Sequence, residues 1–185
     1  MNKIIKSTKS MGQSLWLDSI SREMINSGEI ENLINAGITG ITSNPTIFDK
    51  AIGESNVYDS ALIEYSKTSK TTEEIFEKLA IDDIKKAANL LRKTYQSSNF
   101  NDGYVSIEVS PQHSNNSEAT IVEADRLWNK INEPNVMIKV PGTDEGFVAV
   151  KTLISKGINV NITLLFSVEQ YEKTAYAYLD GLTEF

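Results

Sequence analysis

Val136-Met137-Ile138-Lys139-Val140-Pro141-Gly142-Thr143 is an apolar run of strand length, closed by a Pro-Gly turn signal and interrupted by a single charge, Lys139. An ammonium in such a segment is either mispaired, at a cost of several kcal/mol, or kept neutral by its surroundings, so the position calls for a reason. Desolvation favours the uncharged amine, and an uncharged amine is a nucleophile. It can attack a carbonyl to form a Schiff base, an electron sink for breaking or making a neighbouring C–C bond. A lysine near a strand end can instead snorkel to solvent, and the rest of the chain decides between the two.

The same pattern recurs in four other segments, each an apolar, β-branched run ending in polar residues and followed by a turn and a helical stretch. Leu15-Trp16-Leu17 ends in Asp18, Gly40-Ile41-Thr42-Ser43 in Asn44-Pro45, and Tyr104-Val105-Ser106-Ile107 in Glu108, while Val160 to Phe166 carries Asn161 and Thr163. Period-two alternation puts Asn161 and Thr163 on one face of that last strand, away from Ile162 and Leu164. Helical patterns run from Arg22 to Ala36, through a long tract from Thr46 to Ser97, and over Glu118 to Lys130, Glu145 to Lys156 and Val168 to Leu182. Thr71 with Glu74 and Ser167 with Gln170 have the spacing of capping boxes. Strands alternating strictly with helices predict an α/β fold of parallel strands joined by right-handed crossovers. In a (β/α)8 barrel the carboxyl ends of such strands converge on one mouth, where active sites are held.

Five motifs in one order carry a family resemblance: Leu15-Trp16-Leu17-Asp18, Thr42-Ser43-Asn44-Pro45-Thr46-Ile47-Phe48, Ser106-Ile107-Glu108-Val109, Met137 to Thr143, and Asn159 to Ser167. Together they resemble the transaldolases, over nearly the whole chain from about Ser14 onward. The resemblance implies a TIM barrel of the class I aldolase type, and an activity that moves a dihydroxyacetone unit from a ketose phosphate, sedoheptulose 7-phosphate or fructose 6-phosphate, to an aldose phosphate in the pentose phosphate pathway. It further implies that Lys139 is the Schiff-base lysine and Asp18 the acid/base acting at the C4 hydroxyl. Glu108 and Thr163 would hold the water used in forming and hydrolysing the imine, and Asn44 and Asn161 would contact substrate. Plainer roles stand beside these. Asp18 has the position of an N-cap for a helix beginning near Ser21, Glu108 could only pair with Lys139, Asn44 could be a residue forced into extended geometry before Pro45, and Thr163 could be a β-former.

Lysine chemistry needs no cofactor, and the sequence supports none. There is one histidine, His113, in the polar loop Gln112 to Ser117, and no cysteine, too few ligands for a metal-dependent aldolase. No glycine-rich nucleotide loop is present. Eighteen Lys plus Arg against 25 Asp plus Glu give a formal charge of −7, which argues against a nucleic-acid partner. No apolar run approaches the roughly 18 residues needed to span a membrane. Sugar phosphates are the expected partners, a homo-oligomer is compatible with these features, and a cytoplasmic location is expected. Residues 1–13 read as a loose or barrel-capping extension without the apolar stretch of a secretory signal.

Length departs from the resemblance. A full barrel takes about 200 to 250 residues, and these 185 supply about five of eight βα units. The expectation is a single partial-barrel domain over 1–185, with 46–101 as a long helical insertion between strands 2 and 3. It would be an amino-terminal portion lacking the family's strand 6 serine and arginine for substrate phosphate. Three alternatives remain: a naturally shortened homologue, a fructose 6-phosphate aldolase-type homologue, whose relatives carry glutamine where this chain has Glu108, and a truncated, inactive barrel fragment.

Overall fold

Each of the five apolar runs forms a strand in the computed structural model, which describes residues 3–185; Met1 and Asn2 of the expected 1–13 extension lie outside the described residues. The strands are β1 (Trp16–Leu17), β2 (Gly40–Thr42), β3 (Tyr104–Glu108), β4 (Val136–Pro141) and β5 (Val160–Thr163), parallel and hydrogen-bonded in chain order. Helices separate successive strands, so the architecture is α/β. The chain divides into two compact units, Met1–Val105 and Ser106–Phe185, with the boundary inside β3.

In the first unit, helix α1 (Lys3–Ser10) precedes β1 and buries none of its residues. The helical stretch expected from Arg22 to Ala36 is two helices, α2 (Arg22–Asn26) and α3 (Glu29–Ala36). Gly28 separates them at φ 78, a left-handed conformation that glycine adopts without steric cost. Trp16 pairs in register with Gly40, and the indole fills the space a Cβ at Gly40 would need, so only glycine fits beneath it. Between β2 and β3 run α4 (Pro45–Glu54), a 3-10 turn at Asn56–Tyr58, α5 (Asp59–Ser66) and α6 (Thr72–Ser97). Leu79, Ile84, Ala87, Ala88 and Leu91 recur at helical spacing along α6 and are wholly buried. Burying each leucine or isoleucine is worth about 1.5–3 kcal/mol.

That core also encloses charge, which is tolerated because every partner is supplied. The Arg22 Nε lies 2.8 Å from Asp83 Oδ1, with Asp83 wholly buried. The Tyr58 hydroxyl donates to Asp83 Oδ2 at 2.8 Å and accepts from the Arg22 backbone N–H at 2.8 Å. The Arg22 guanidinium also stands 4.6 Å from the Tyr58 ring centroid. Farther out, Asp82 is 3.7 Å from Arg22 and accepts the Tyr65 hydroxyl at 2.5 Å.

In the second unit, Val136, Ile138 and Val140 of β4 are fully buried, with α7 (Ser117–Ile131) and α8 (Asp144–Ser155) packed against the strand. Helix α8 starts almost at once after β4. Thr143 caps it by accepting from the Gly146 amide at 3.0 Å, and Gly146 sits so close to the Pro141 carbonyl that a Cβ there would collide with it. Helix α9 (Val168–Glu184) is capped as expected by Ser167, and packs on α8 through its small residues Ala177 and Gly181. Its other side exposes Val168, Tyr171, Tyr178, Leu179 and Leu182.

One strand end differs from expectation. β5 stops at Thr163 rather than continuing to Phe166, because Leu164 turns into the left-handed region at φ 64 and the chain swings toward the cap of α9. Leu164 and Phe166 are consequently exposed, and Thr163 supplies the carbonyl that accepts the Gly142 amide at 2.8 Å.

Candidate active site

Strand parity sorts the second unit into an apolar and a polar face. Ile107, Ile138 and Val140 lie on one face and are buried; Ser106, Glu108, Lys139, Asn161 and Thr163 lie on the other. The ladder keeps these polar residues level with one another. Lys139 pairs with Asn161 and Pro141 with Thr163 across β4 and β5, and the Val109 amide bonds the Lys139 carbonyl at 3.2 Å.

At the end of β3, Glu108 Oε2 lies 3.1 Å from Lys139 Nζ, and both side chains are largely enclosed, 16% and 13% exposed. The lysine thus does not snorkel away to solvent. It is a paired amine, next to a carboxylate within hydrogen-bond reach of the proton that an ammonium must lose before attacking a carbonyl. Beside it, Asn161 Nδ2 donates to Ser106 Oγ at 3.2 Å, and Ser106 is wholly buried. Asn161 is therefore held, not free to rotate. Thr163, at the carboxyl end of β5, is half-buried.

Ser106 was not among the residues singled out from sequence, although it lies inside a motif that was. Its signal is spacing: two residues before Glu108, it shares that residue's face.

In the first unit, Asp18 follows β1 directly and is exposed. It is not the helix cap that its position also allowed, since Ser21 caps α2 by accepting from the Met24 amide at 3.1 Å. Asn44 is extended at φ −148, as a residue before proline should be, and is also a cap. Its Oδ1 accepts from the Ile47 amide at 2.9 Å, with Pro45 as first residue of α4.

His113 lies in a 3-10 turn (Pro111–His113), its Nε2 3.4 Å from Glu123, which also accepts the Ser110 amide at 3.0 Å. Among the described residues no group of three His, Cys, Asp or Glu is arranged to hold a metal, and no helix is long and apolar enough to cross a membrane.

Comparison with known proteins agrees with the motifs. The family model described as Transaldolase/Fructose-6-phosphate aldolase matches residues 15–183. The chain is 50% identical over 175 residues to transaldolase 2 of a Nostoc species, an alignment covering 94% of this chain and 46% of the relative. It is 43% identical over 180 residues to a transaldolase of Thiobacillus denitrificans, covering 97% of this chain and 50% of the relative. With a transaldolase of Thermobifida fusca it shares 39% identity over 185 residues, all of this chain and 50% of the relative. The chain spans about half the length of the curated relatives it matches.

Proposed function

The chain belongs to the transaldolase/fructose-6-phosphate aldolase family, and on that premise we propose that it carries the Schiff-base chemistry of a transaldolase, with Lys139 as nucleophile. The observation that carries this reading is the enclosed Lys139–Glu108 pair, 3.1 Å apart on the polar face of β3 and β4. Lys139 attacks the C2 carbonyl of a ketose phosphate, and loss of water from the carbinolamine gives an iminium. The iminium accepts the electron pair released when the C3–C4 bond breaks, as Asp18 takes the proton from the C4 hydroxyl. The aldose phosphate leaves, and the retained three-carbon unit adds to a second aldose phosphate as Asp18 returns the proton. Glu108 and Thr163 hold and activate the water of imine formation and hydrolysis. Asn44, through its amide nitrogen, and Asn161, fixed by Ser106, contact substrate hydroxyls.

A fructose 6-phosphate aldolase-type reaction, in which the three-carbon unit is released, is the second reading within the same family. Glu108, where that type carries glutamine, favours transfer. The acidic composition and the family reading support a cytoplasmic enzyme of sugar-phosphate metabolism. The exposed apolar side of α9 supports association between copies of the chain.

Incubation with fructose 6-phosphate and borohydride tests the proposal, because reduction freezes a lysine imine as a stable adduct. The adduct is expected on the peptide containing Lys139. An adduct on Lys151 or Lys156 instead would reassign the nucleophile, and no adduct at all would defeat the Schiff-base reading.

A further inference from the structure

Asp18, the residue assigned the proton transfer, stands exposed between a two-residue strand and the start of α2. Three residues later the chain is held firmly. Ile20 is buried, Ser21 caps the helix, and the first helical amide, Arg22 N–H, donates to the Tyr58 hydroxyl at 2.8 Å. The first amides of a helix have no acceptor within it, so a buried phenol supplying one ties the helix start to whatever holds the phenol. Tyr58 is held by Asp83, to which it donates at 2.8 Å, and Asp83 in turn by the Arg22 side chain at 2.8 Å. Arg22 thereby closes a ring, gripped by its backbone and its guanidinium through the same two partners. Burial raises the Tyr58 pKa well above the usual phenol range, so its one proton stays directed at Asp83 and its lone pairs stay available to the Arg22 amide.

Buried ion pairs often add little stability over apolar packing. A ring built around the first residue of α2 fixes geometry instead, and the segment it fixes is the one that carries Asp18. We propose that Tyr58, supported by Asp83 and Arg22, is a positioning residue for Asp18: its hydroxyl anchors the first residue of α2 and so sets where the β1–α2 connection presents the Asp18 carboxylate. The inference rests on the reading of Asp18 as the proton-transfer group.

Hydrogen exchange and imine trapping together test it, with Tyr65→Phe as control, since Tyr65 bonds the neighbouring Asp82 but not the start of α2. In the unmodified chain the Arg22 amide is expected to exchange slowly, although it has no acceptor inside its helix. Exchange as fast as at an open loop amide would overturn the proposal without any variant having to fold. In Tyr58→Phe, exchange across residues 18–22 should rise at least about tenfold while the core of α6 changes less than about twofold. The yield of adduct on Lys139 should hold within about twofold, and cleavage of fructose 6-phosphate should slow by at least about tenfold, as misplacement of a reacting group does. Tyr65→Phe should leave all of these unchanged. A uniform rise in exchange throughout the first unit, or parallel loss of adduct and cleavage, would reduce Tyr58 to a structural part and overturn the inference. Undiminished cleavage in Tyr58→Phe would overturn it while leaving the Schiff-base reading intact. An unmodified chain that forms no adduct would defeat that reading first, and the catalytic half of this inference with it.

Discussion

Lys139 Nζ and Glu108 Oε2 lie 3.1 Å apart, each side chain more than four-fifths enclosed, so the one charge in the apolar run of β4 has its counter-charge at the end of the neighbouring strand. Lys139→Ala should abolish the borohydride-trapped adduct. Glu108→Gln keeps the amine but removes the carboxylate that accepts its proton, and imine formation should slow by roughly 10²-fold, the lower end of what a positioned base contributes. Product analysis should also show more release of the three-carbon unit relative to transfer. Mass spectrometry of the trapped peptide and a transfer assay on both variants check this.

Asp18→Ala should separate the two halves of the reaction. The imine forms without it, so the adduct on Lys139 should persist, while C–C cleavage falls by about 10²–10⁴-fold. Adduct and cleavage lost together would point to a different role for Asp18.

Asp83→Ala removes the buried carboxylate of Arg22 and leaves the guanidinium only the more exposed Asp82 at 3.7 Å, a loss that costs about 3–5 kcal/mol. In a chain of this size that lowers the melting temperature by on the order of ten degrees. Tyr65→Phe, at the more open edge of the same cluster, should cost about 1 kcal/mol or less. Thermal unfolding followed by circular dichroism distinguishes the two.

Tyrosine ionisation gives a pH prediction. Hydrogen bonding to Asp82, reinforced by burial, pushes the Tyr65 pKa up from 10.0 to about 12, and burial, with Tyr95 beside it, pushes Tyr104 up to about 12. A phenol whose folded pKa is raised binds its proton more tightly when folded. Its stabilising contribution is therefore full below pH 10 and is lost as pH rises through about 12. The chain should be stable to alkali up to about pH 10 and weaken between there and 12. Tyr58, Tyr65 and Tyr104 should ionise, by absorbance at 295 nm, in step with unfolding.

Helix α9 predicts association. Val168, Tyr171, Leu179 and Leu182 follow one another at helical spacing and are all exposed, on the side away from Ala177 and Gly181. Sedimentation should show concentration-dependent self-association, and Leu179→Lys with Leu182→Lys should weaken it without lowering the melting temperature. A monomer at all concentrations, before and after substitution, would sink this prediction.

Strand parity, helix caps and the order of elements were legible because they depend on neighbours a few residues apart. Alternation alone puts Lys139, Asn161 and Thr163 opposite the apolar core, and Ser167 caps α9 as its spacing predicts. The break at Gly28 was also visible as a glycine, but apolar periodicity on both sides masked it. What local pattern does not carry is pairing at a distance. Asp83 lies 61 residues from Arg22, and Ser106 lies 55 from Asn161, so nothing near either residue announces its partner. The end of β5 escaped for a related reason, since apolar residues 164–166 read as strand until the turn toward α9 removes them from the ladder. Asn44 was half legible: its extended backbone follows from Pro45, and the same dipeptide signals the cap it makes.

Because successive residues of β4 face opposite ways, the direction in which Lys139 points is decided by Ile138 and Val140, whose burial locks the strand's register. Deleting Met137 would force a choice: either Val136 leaves the core, or Lys139 turns in among α7 and α8 while Val140 takes its place beside Glu108. In the second case every chemical group of the proposed reaction would still be encoded, and the lysine would no longer face Glu108. Activity in this strand is as sensitive to the count of its apolar residues as to the identity of its lysine.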